Sequence, residues 1–419
     1  MKYAYLTRNV WILSLVSLFT DVSSEMLYPV MPLFLKSIGF SVVIIGLLEG
    51  VAEAVAGLSK GYFGQWSDHC ERRLPFVQVG YALSAISKPM MVAFTWAWWV
   101  FLARTLDRLG KGMRTGARDA LLSDEATPTT KGRVFGFHRG MDTLGAVIGP
   151  VLALLYLHYF PGDYRTLFLA AFAPGFIAVA ATFLVRERPQ IEPAPRHFST
   201  WNLTAFATYW RKGPTAYRRL TGGLLVFALF NSSDVFLLLK AKEIGVGDTG
   251  VVGLYIFYNL VYAAAAFPMG ALADRLGIRR VLVGGLLVFS LVYVGMGLTT
   301  EGWVVGALFF LYGLYAAATE GVSKAWISNI CARKDTATAL GTFTAFQSIA
   351  ALVASSFTGL LWHQFGAAVA FGVSAVIAAG VSIYIAVVPL QVGPQRTNAT
   401  EPETTSVRPS HSSNSAQNR

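Results

Sequence analysis

Apolar stretches separated by short polar knots run along the chain. Twelve of them reach or approach the ~20 residues a helix needs to cross the hydrocarbon core of a bilayer. They fall at 11–35, 41–64, 75–97, 98–120, 133–157, 165–186, 220–243, 249–272, 280–300, 302–328, 336–362 and 366–389. Inside lipid every backbone polar group must be satisfied within its own segment, so these stretches are predicted as helices. The ~10-residue alternation of a membrane-spanning barrel is absent. The first stretch follows Lys2 and Arg8 and is too long for the apolar part of a cleavable leader, so it reads as a retained spanning helix. Pro29 and Pro32 predict a bend in its outer part. The pattern is that of an all-α membrane protein with 12 transmembrane helices.

Composition agrees. Of 419 residues, 54% are hydrophobic and 14% charged, where a soluble domain carries roughly 25% charged. The net charge of +11 does not imply a nucleic-acid partner, because the basic residues collect in loops at one end of the spans. That end holds Lys2, Arg8, Arg72, Arg73, Lys131, Arg133, Arg275, Arg279, Arg280, Arg333 and Lys334, together with the segment between spans six and seven. The other end has little beyond Lys36, Arg165, Lys240 and Lys242. The bias predicts a multi-pass protein of a bacterial inner membrane with both termini cytosolic. Segment 187–219 begins as a proline-rich linker. From Phe198 its aromatic residues Phe198, Trp201, Phe206, Tyr209 and Trp210 recur at helical spacing, which predicts a helix in the membrane interface. The tail 391–419 is too polar to bury a core and is predicted disordered. Cys70 and Cys331 lie near the predicted cytosolic loops and predict neither a structural disulfide nor a metal site. No Walker loop and no metal-ligand spacing among the histidines is present, so neither an enzyme nor a cofactor is expected.

The two halves of the chain echo each other. Gly64-Gln-Trp-Ser-Asp68-His-Cys-Glu-Arg72-Arg73 and Gly270-Ala-Leu-Ala-Asp274-Arg275-Leu-Gly-Ile-Arg279-Arg280 lie 206 positions apart, and so do the Ile-Gly pairs ending at Gly39 and Gly245. Two landmarks with one offset indicate a duplicated six-helix unit of parallel topology. The predicted domains are therefore two pseudo-symmetric six-helix bundles, 1–186 and 220–390, joined by 187–219 and followed by 391–419. The loop pattern resembles the signature loop of the major facilitator superfamily. Its second copy fits closely. The first departs, with Glu71 in place of the usual glycine and His69 in place of the usual arginine. The resemblance implies a gate, with Asp68 and Asp274 as latch acids and Arg72, Arg73, Arg279 and Arg280 as their partners, beside Arg275. An acid at a helix end can pair with arginines and with the positive end of a neighbouring helix.

The remaining chemistry lies inside the spans. A mid-membrane charge is costly and normally faces the bundle interior. Asp21 and Glu25 lie one turn apart on the first span, and Glu49 and Glu53 on the second. Lys88 is on the third. The fourth carries Arg104, Asp107, Arg108 and Lys111, followed by Arg114 and Arg118 toward the cytosolic end, where a loop role is expected for Lys111, Arg114 and Arg118. The fifth begins with His138, Arg139 and Asp142. In the second half Asn231, Asp234, Tyr258 and Asn259 supply mostly neutral hydrogen-bonding groups, with Glu320, Lys324 and Gln347 further on. This division predicts ion coupling in the first half and solute hydrogen bonds in the second. The alternative for any one residue is a structural ion-pair network.

The expected function is proton-coupled secondary transport of a small solute by a monomer. Gly145-Ala-Val-Ile-Gly149-Pro150 is similar to the antiporter motif of the superfamily and tilts the expectation toward export. The stretch Phe19 to Pro29, with Met141-Asp-Thr-Leu-Gly145, resembles a bacterial branch of poorly defined specificity, some of whose members sit beside iron or siderophore handling, magnetosome carriers included. An iron, siderophore or divalent-metal permease is therefore one alternative. A non-transporting sensor or scaffold with the same fold is the other.

Overall fold

A computed structural model describes residues 6–28, 30–70, 72–187 and 206–389. The expectations for Phe198 and Trp201, for Pro29 and Glu71, and for the tail lie outside the described residues, as does the side chain of Glu49.

The described chain is helical, with no strand. Six spans map onto the first half. The first is broken into α1 (Arg8–Glu25) and α2 (Met31–Ser37). Then follow α3 (Val42–His69), α4 (Leu74–Ala93), α5 (Ala97–Asp124), α6 (Lys131–Tyr159) and α7 (Tyr164–Thr182). A short helix, α8 (Phe206–Lys212), lies in the connecting segment. The second half repeats the order as α9 (Thr215–Ala228) with α10 (Val235–Glu243), then α11 (Asp248–Leu276), α12 (Ile278–Leu298), α13 (Gly302–Ile330), α14 (Thr336–Phe365) and α15 (Ala367–Val387). By length and composition seven helices qualify outright as membrane spans, namely α6, α7 and α11–α15. The others are interrupted or carry polar groups, as α5 does with its arginines. Large apolar side chains such as Phe183, Leu291 and Val376 coat the outer surface, as lipid contact requires.

The repeat is visible in backbone detail. Gly39 and Gly245 both adopt positive φ, +92° and +102°. Both follow a short helix closed by a six-to-one hydrogen bond, Phe40 N–H to Leu35 C=O at 3.0 Å and Val246 N–H to Ala241 C=O at 3.1 Å. This is the glycine-terminated helix end that L-residues with a Cβ avoid. The first span of each half is discontinuous. The sequence predicts only a bend in 11–35, yet the helix stops at Glu25 and restarts at Met31. Span 220–243, expected to be continuous, opens between Ala228 and Val235. No proline is responsible there. Asn231, Ser232, Ser233 and Asp234 offer side-chain hydrogen bonds that compete with the helix ladder.

Between the halves, α3 packs on α14 and α6 on α11. Glycine permits this approach. A Cβ on Gly270 would lie 2.1 Å from the Gly132 carbonyl oxygen, and one on Gly64 would lie 2.6 Å from that of Ala337. Small residues at such crossings let two backbones touch, which gives dispersion contact that lipid cannot replace. In α8, Tyr209 and Trp210 pack edge-on against Tyr217, and Trp210 also against Phe346 of α14.

Candidate functional site

At the basic end of the bundle each half presents one acid to the other. Asp68, one residue from the end of α3, accepts the backbone N–H of Thr338 at 2.6 Å and the Thr338 hydroxyl at 2.9 Å. Asp274, near the end of α11, accepts the backbone N–H groups of Gly132 at 2.8 Å and Arg133 at 3.0 Å. Asp68 and Asp274 are 206 positions apart, and Gly132 and Thr338 are too. Each acid thus caps the first turn of the equivalent helix in the opposite half, where unpaired N–H groups and the helix dipole favour a carboxylate.

The arginines divide differently from the expectation. Arg73 is fully buried; it donates to Asp68 at 2.9 and 3.2 Å, pairs with Asp124, and donates to the Arg333 carbonyl at 2.8 Å. Arg279 was expected to serve Asp274. Its hydrogen bonds go instead to the carbonyls of Ala386 and Val388, because Gly277 (φ +98°) turns the chain at once into α12 and aims Arg279 at the end of α15. Arg133 stands near Asp274 in its place, at 3.7 Å. Arg72, Arg275 and Arg280 are exposed. Glu187 went unnoticed in the sequence; it accepts the N–H groups of Arg73 and Leu74 and so caps α4.

Above this layer a cavity of about 340 Å³ lies between the halves. The first half lines it with Asp21, Glu25, Lys60, Lys111, Arg114 and Arg118, and with Arg139 and Asp142 from α6. The second half contributes Tyr258, Asn259, Tyr262, Glu320, Lys324 and Gln347. A smaller pocket of about 40 Å³ adjoins it and is lined by Lys88, Arg104, Asp107 and Arg108, again with Asp21 and Glu25. Lys111, Arg114 and Arg118, assigned to the loop end by the sequence, are on the cavity wall. The reason is the length of α5, which continues to Asp124 and leaves Lys111 near its midpoint. Lys60 was missed, although a lysine within an apolar span carries the same signal as Lys88.

Most charges on these walls are matched. Lys88 and Arg104 share Asp107, at 3.0 and 3.5 Å. Arg108 lies 4.0 Å from Glu53. Arg118 holds Asp119 at 3.0 Å, and Lys324 reaches the same carboxylate from the other half at 2.7 Å. Arg139 binds Asp142 at 2.6 Å and crosses to Glu320 at 3.2 Å and to the Tyr262 hydroxyl at 2.8 Å. Lys60 crosses to the Ser348 hydroxyl at 2.9 Å. Asp21 and Glu25 stand apart. Among the described residues neither has a cation within 4.0 Å, because Arg104 and Arg108 turn toward Asp107 and Glu53.

In the second half the break between α9 and α10 builds its own cluster. The hydroxyls of Tyr258 and Tyr312 both donate to Asp234, and Asn231 donates to the Tyr315 hydroxyl at 3.2 Å. Asn259 donates to the Tyr255 carbonyl of its own helix at 2.9 Å while lining the cavity.

An all-α membrane bundle of two repeated halves around a charged interior cavity is the architecture of a membrane transporter. The chain belongs to the Major Facilitator Superfamily, whose family model matches residues 13–257 and 220–415. An uncharacterized MFS-type transporter of Methanocaldococcus jannaschii is 32% identical over 364 residues, covering 85% of this chain and 89% of the relative. Solved transporter structures share the fold, two of them as follows. The human organic anion transporter MFSD10 matches with a TM-score of 0.75 at 15% identity, over 90% of this chain and 99% of its own. The Escherichia coli fucose:proton symporter FucP matches with a TM-score of 0.72 at 13% identity, over 91% of this chain and 98% of its own. Members of this family are not enzymes.

Proposed function

We propose that the protein is a proton-coupled secondary transporter that moves a small solute across the bacterial inner membrane by alternating access. It acts as a monomer, with the basic end and both termini in the cytosol. Its working parts are the bundles 1–186 and 220–390, linked by 187–219 and followed by a disordered tail, 391–419. The observation that carries this reading is the position of Asp21 and Glu25. Two carboxylates stand on the wall of the cavity between the halves with no ion pair among the described residues, in a site rich in cations. A carboxylate there can be loaded with a proton and discharged when an arginine or lysine approaches.

On this topology the structure is closed at its cytosolic end. The acids Asp68 and Asp274 tie the cytosolic ends together, and the Arg139–Glu320 and Lys324–Asp119 pairs close the layer above them. Opening to the cytosol breaks these contacts. Asn259 and Gln347 face the cavity as solute hydrogen-bonding groups.

The test is flux through purified protein in liposomes under an imposed pH gradient. Proton-driven transport lost in Asp21→Asn and Glu25→Gln supports the reading. Flux that follows sodium instead of protons refutes it, proton-driven flux retained by both variants removes these acids from the coupling, and no flux of any solute offered returns the sensor or scaffold reading. Export is the second reading and rests on Gly145 and Gly149. In the structure these glycines are where α6 meets α1, 2.5 Å from the Leu18 carbonyl and 2.8 Å from the Val22 carbonyl for a built Cβ. A divalent-metal permease has less support. Glu53 is beside Arg108, and among the described residues no three His, Cys, Asp or Glu side chains group into a metal shell.

A further inference from the structure

We infer that the solute is a small organic anion, anchored by Lys111 and Lys60 on the cavity wall, and that it crosses together with the proton. The inference rests on the transporter reading above and deepens it. It comes from counting which charges around the cavity lack a counter-ion. Arg118, Arg139 and Lys324 are matched by Asp119, Asp142 and Glu320. Among the described residues three cations are left over. Among the described residues the Lys111 ammonium has no hydrogen-bond partner and no carboxylate within 4.0 Å, and Lys60 has only the Ser348 hydroxyl. Arg114 donates to the Ser84 hydroxyl at 2.6 Å and lies over the Tyr81 ring at 4.6 Å, again without an acid.

Unmatched cations are costly in a site walled by protein and lipid. An anion that enters this space gains their attraction without breaking an existing pair. The cavity volume of about 340 Å³ falls within the roughly 300–1,000 Å³ of small-molecule sites. Asn259 and Gln347 on the opposite wall offer donors and acceptors to the neutral part of such a solute. A carboxylate- or phosphate-bearing organic molecule fits this arrangement. A cation meets repulsion. A purely apolar compound meets a wall of charge.

The sense of coupling follows from Asp21 and Glu25. They are faced by Arg104, Arg108 and Lys111 from α5, by Lys88 from α4, and by Asp142 from α6. Across the cavity stand Lys60 from α3 and Glu320 and Lys324 from α13. Arg104, Arg108, Lys88 and Lys324 already have acids, and Asp142 is held by Arg139 and Ser17. Lys111 is therefore the cation for which ionised Asp21 and Glu25 compete with an anionic solute. Protonation of the two acids removes the competitor. Proton and anion then help each other bind, which is the thermodynamic condition for carrying both in one direction. An inward proton gradient drives uptake on this scheme.

The experiment uses the purified full chain with malate, glucuronate and glucose 6-phosphate as anionic probes, glucose as a neutral probe and spermidine as a cationic one. Binding is read by thermal shift and intrinsic fluorescence at acidic and neutral pH. At least one anion is expected to bind, more tightly at acidic pH. Lys111→Gln and Lys60→Gln are each expected to weaken it about tenfold or more. Glu25→Gln keeps binding but flattens its pH dependence. Unchanged melting temperatures in the probe-free variants establish that the lysine substitutions leave the fold intact. Binding confined to glucose or spermidine, no anion bound, or anion binding indifferent to both lysines overturns the inference. The transporter reading is judged separately. A pH step on protein in supported membranes, with no solute present, produces a charge displacement that the Asp21→Asn/Glu25→Gln double variant abolishes. If that signal is present while the anion experiments fail, only the anion inference falls. If it is absent, proton coupling falls.

Discussion

Among the described residues Asp21 and Glu25 are the acids of the cavity wall that have no ion pair, whereas Asp142 is paired with Arg139 and Glu320 with the same arginine. A glutamine at position 25 is a permanent imitation of the protonated acid. Glu25→Gln is therefore expected to retain solute exchange across liposomes while proton-driven accumulation falls to background. Equal loss of both activities would make Glu25 a structural residue. Arg73 is the opposite case, a charge buried completely and bonded on every side. Its removal leaves Asp68 without its arginine and Asp124 with Arg333 alone. Breaking a buried pair costs roughly 3–5 kcal/mol. Arg73→Ala is accordingly expected to lower the thermal unfolding midpoint by several degrees. Arg73→Lys is expected to recover only part of this, since a lysine lacks the planar fork that reaches two acids and a carbonyl.

At the scale of helices, the contacts that hold the halves together at the basic end are backbone against backbone. Gly270 on α11 and Gly64 on α3 occupy equivalent positions, and each meets a carbonyl of the opposite half. Backbone cannot yield as a side chain can. Gly270→Ala is expected to separate α11 from α6 and to destabilise the closed basic end. It should be seen as faster thiol labelling of a cysteine placed at Ala146 by a reagent supplied from that end. Gly284 on α12 has nothing within 4 Å of a built Cβ. Gly284→Ala is the control, expected to change stability by no more than about 1 kcal/mol and in the favourable direction, as helix propensity alone dictates.

For the molecule as a whole, alternating access needs two closures of comparable strength. The basic-end closure is doubled by the repeat, with Asp68 and Asp274 each capping a helix of the opposite half. Losing one cap leaves its equivalent in place. In a background of Cys70→Ser and Cys331→Ala carrying Ala146→Cys, the double variant Asp68→Asn/Asp274→Asn is expected to open toward the cytosol. Labelling by an impermeant thiol reagent from the outer face should then slow markedly, with each single variant intermediate. Labelling rates identical in all four proteins would show that the two caps do not gate.

Sequence alone determined the class of fold, the approximate course of the spans and the repeat. These follow from local rules: the length of an apolar run against the bilayer, the cost of charge in lipid, and one offset shared by two landmarks. It also pointed to Asp21, Glu25, Asp68 and Asp274 as acids in unusual places. Tertiary structure decided which partner each charge takes. Arg104 and Arg108 turn to Asp107 and Glu53, Arg279 to carbonyls of α15, and Lys324 across the cavity to Asp119. Only the packing of helices distant in sequence settles those choices, because a charged side chain in a low-dielectric interior pairs with whichever opposite charge the neighbouring helices bring within about 4 Å. The discontinuity of α9 and α10 was hidden for the same reason. The polar run Asn231 to Asp234 can stay helical or leave the helix, and the hydroxyls of Tyr258, Tyr312 and Tyr315, supplied by α11 and α13, reward leaving it.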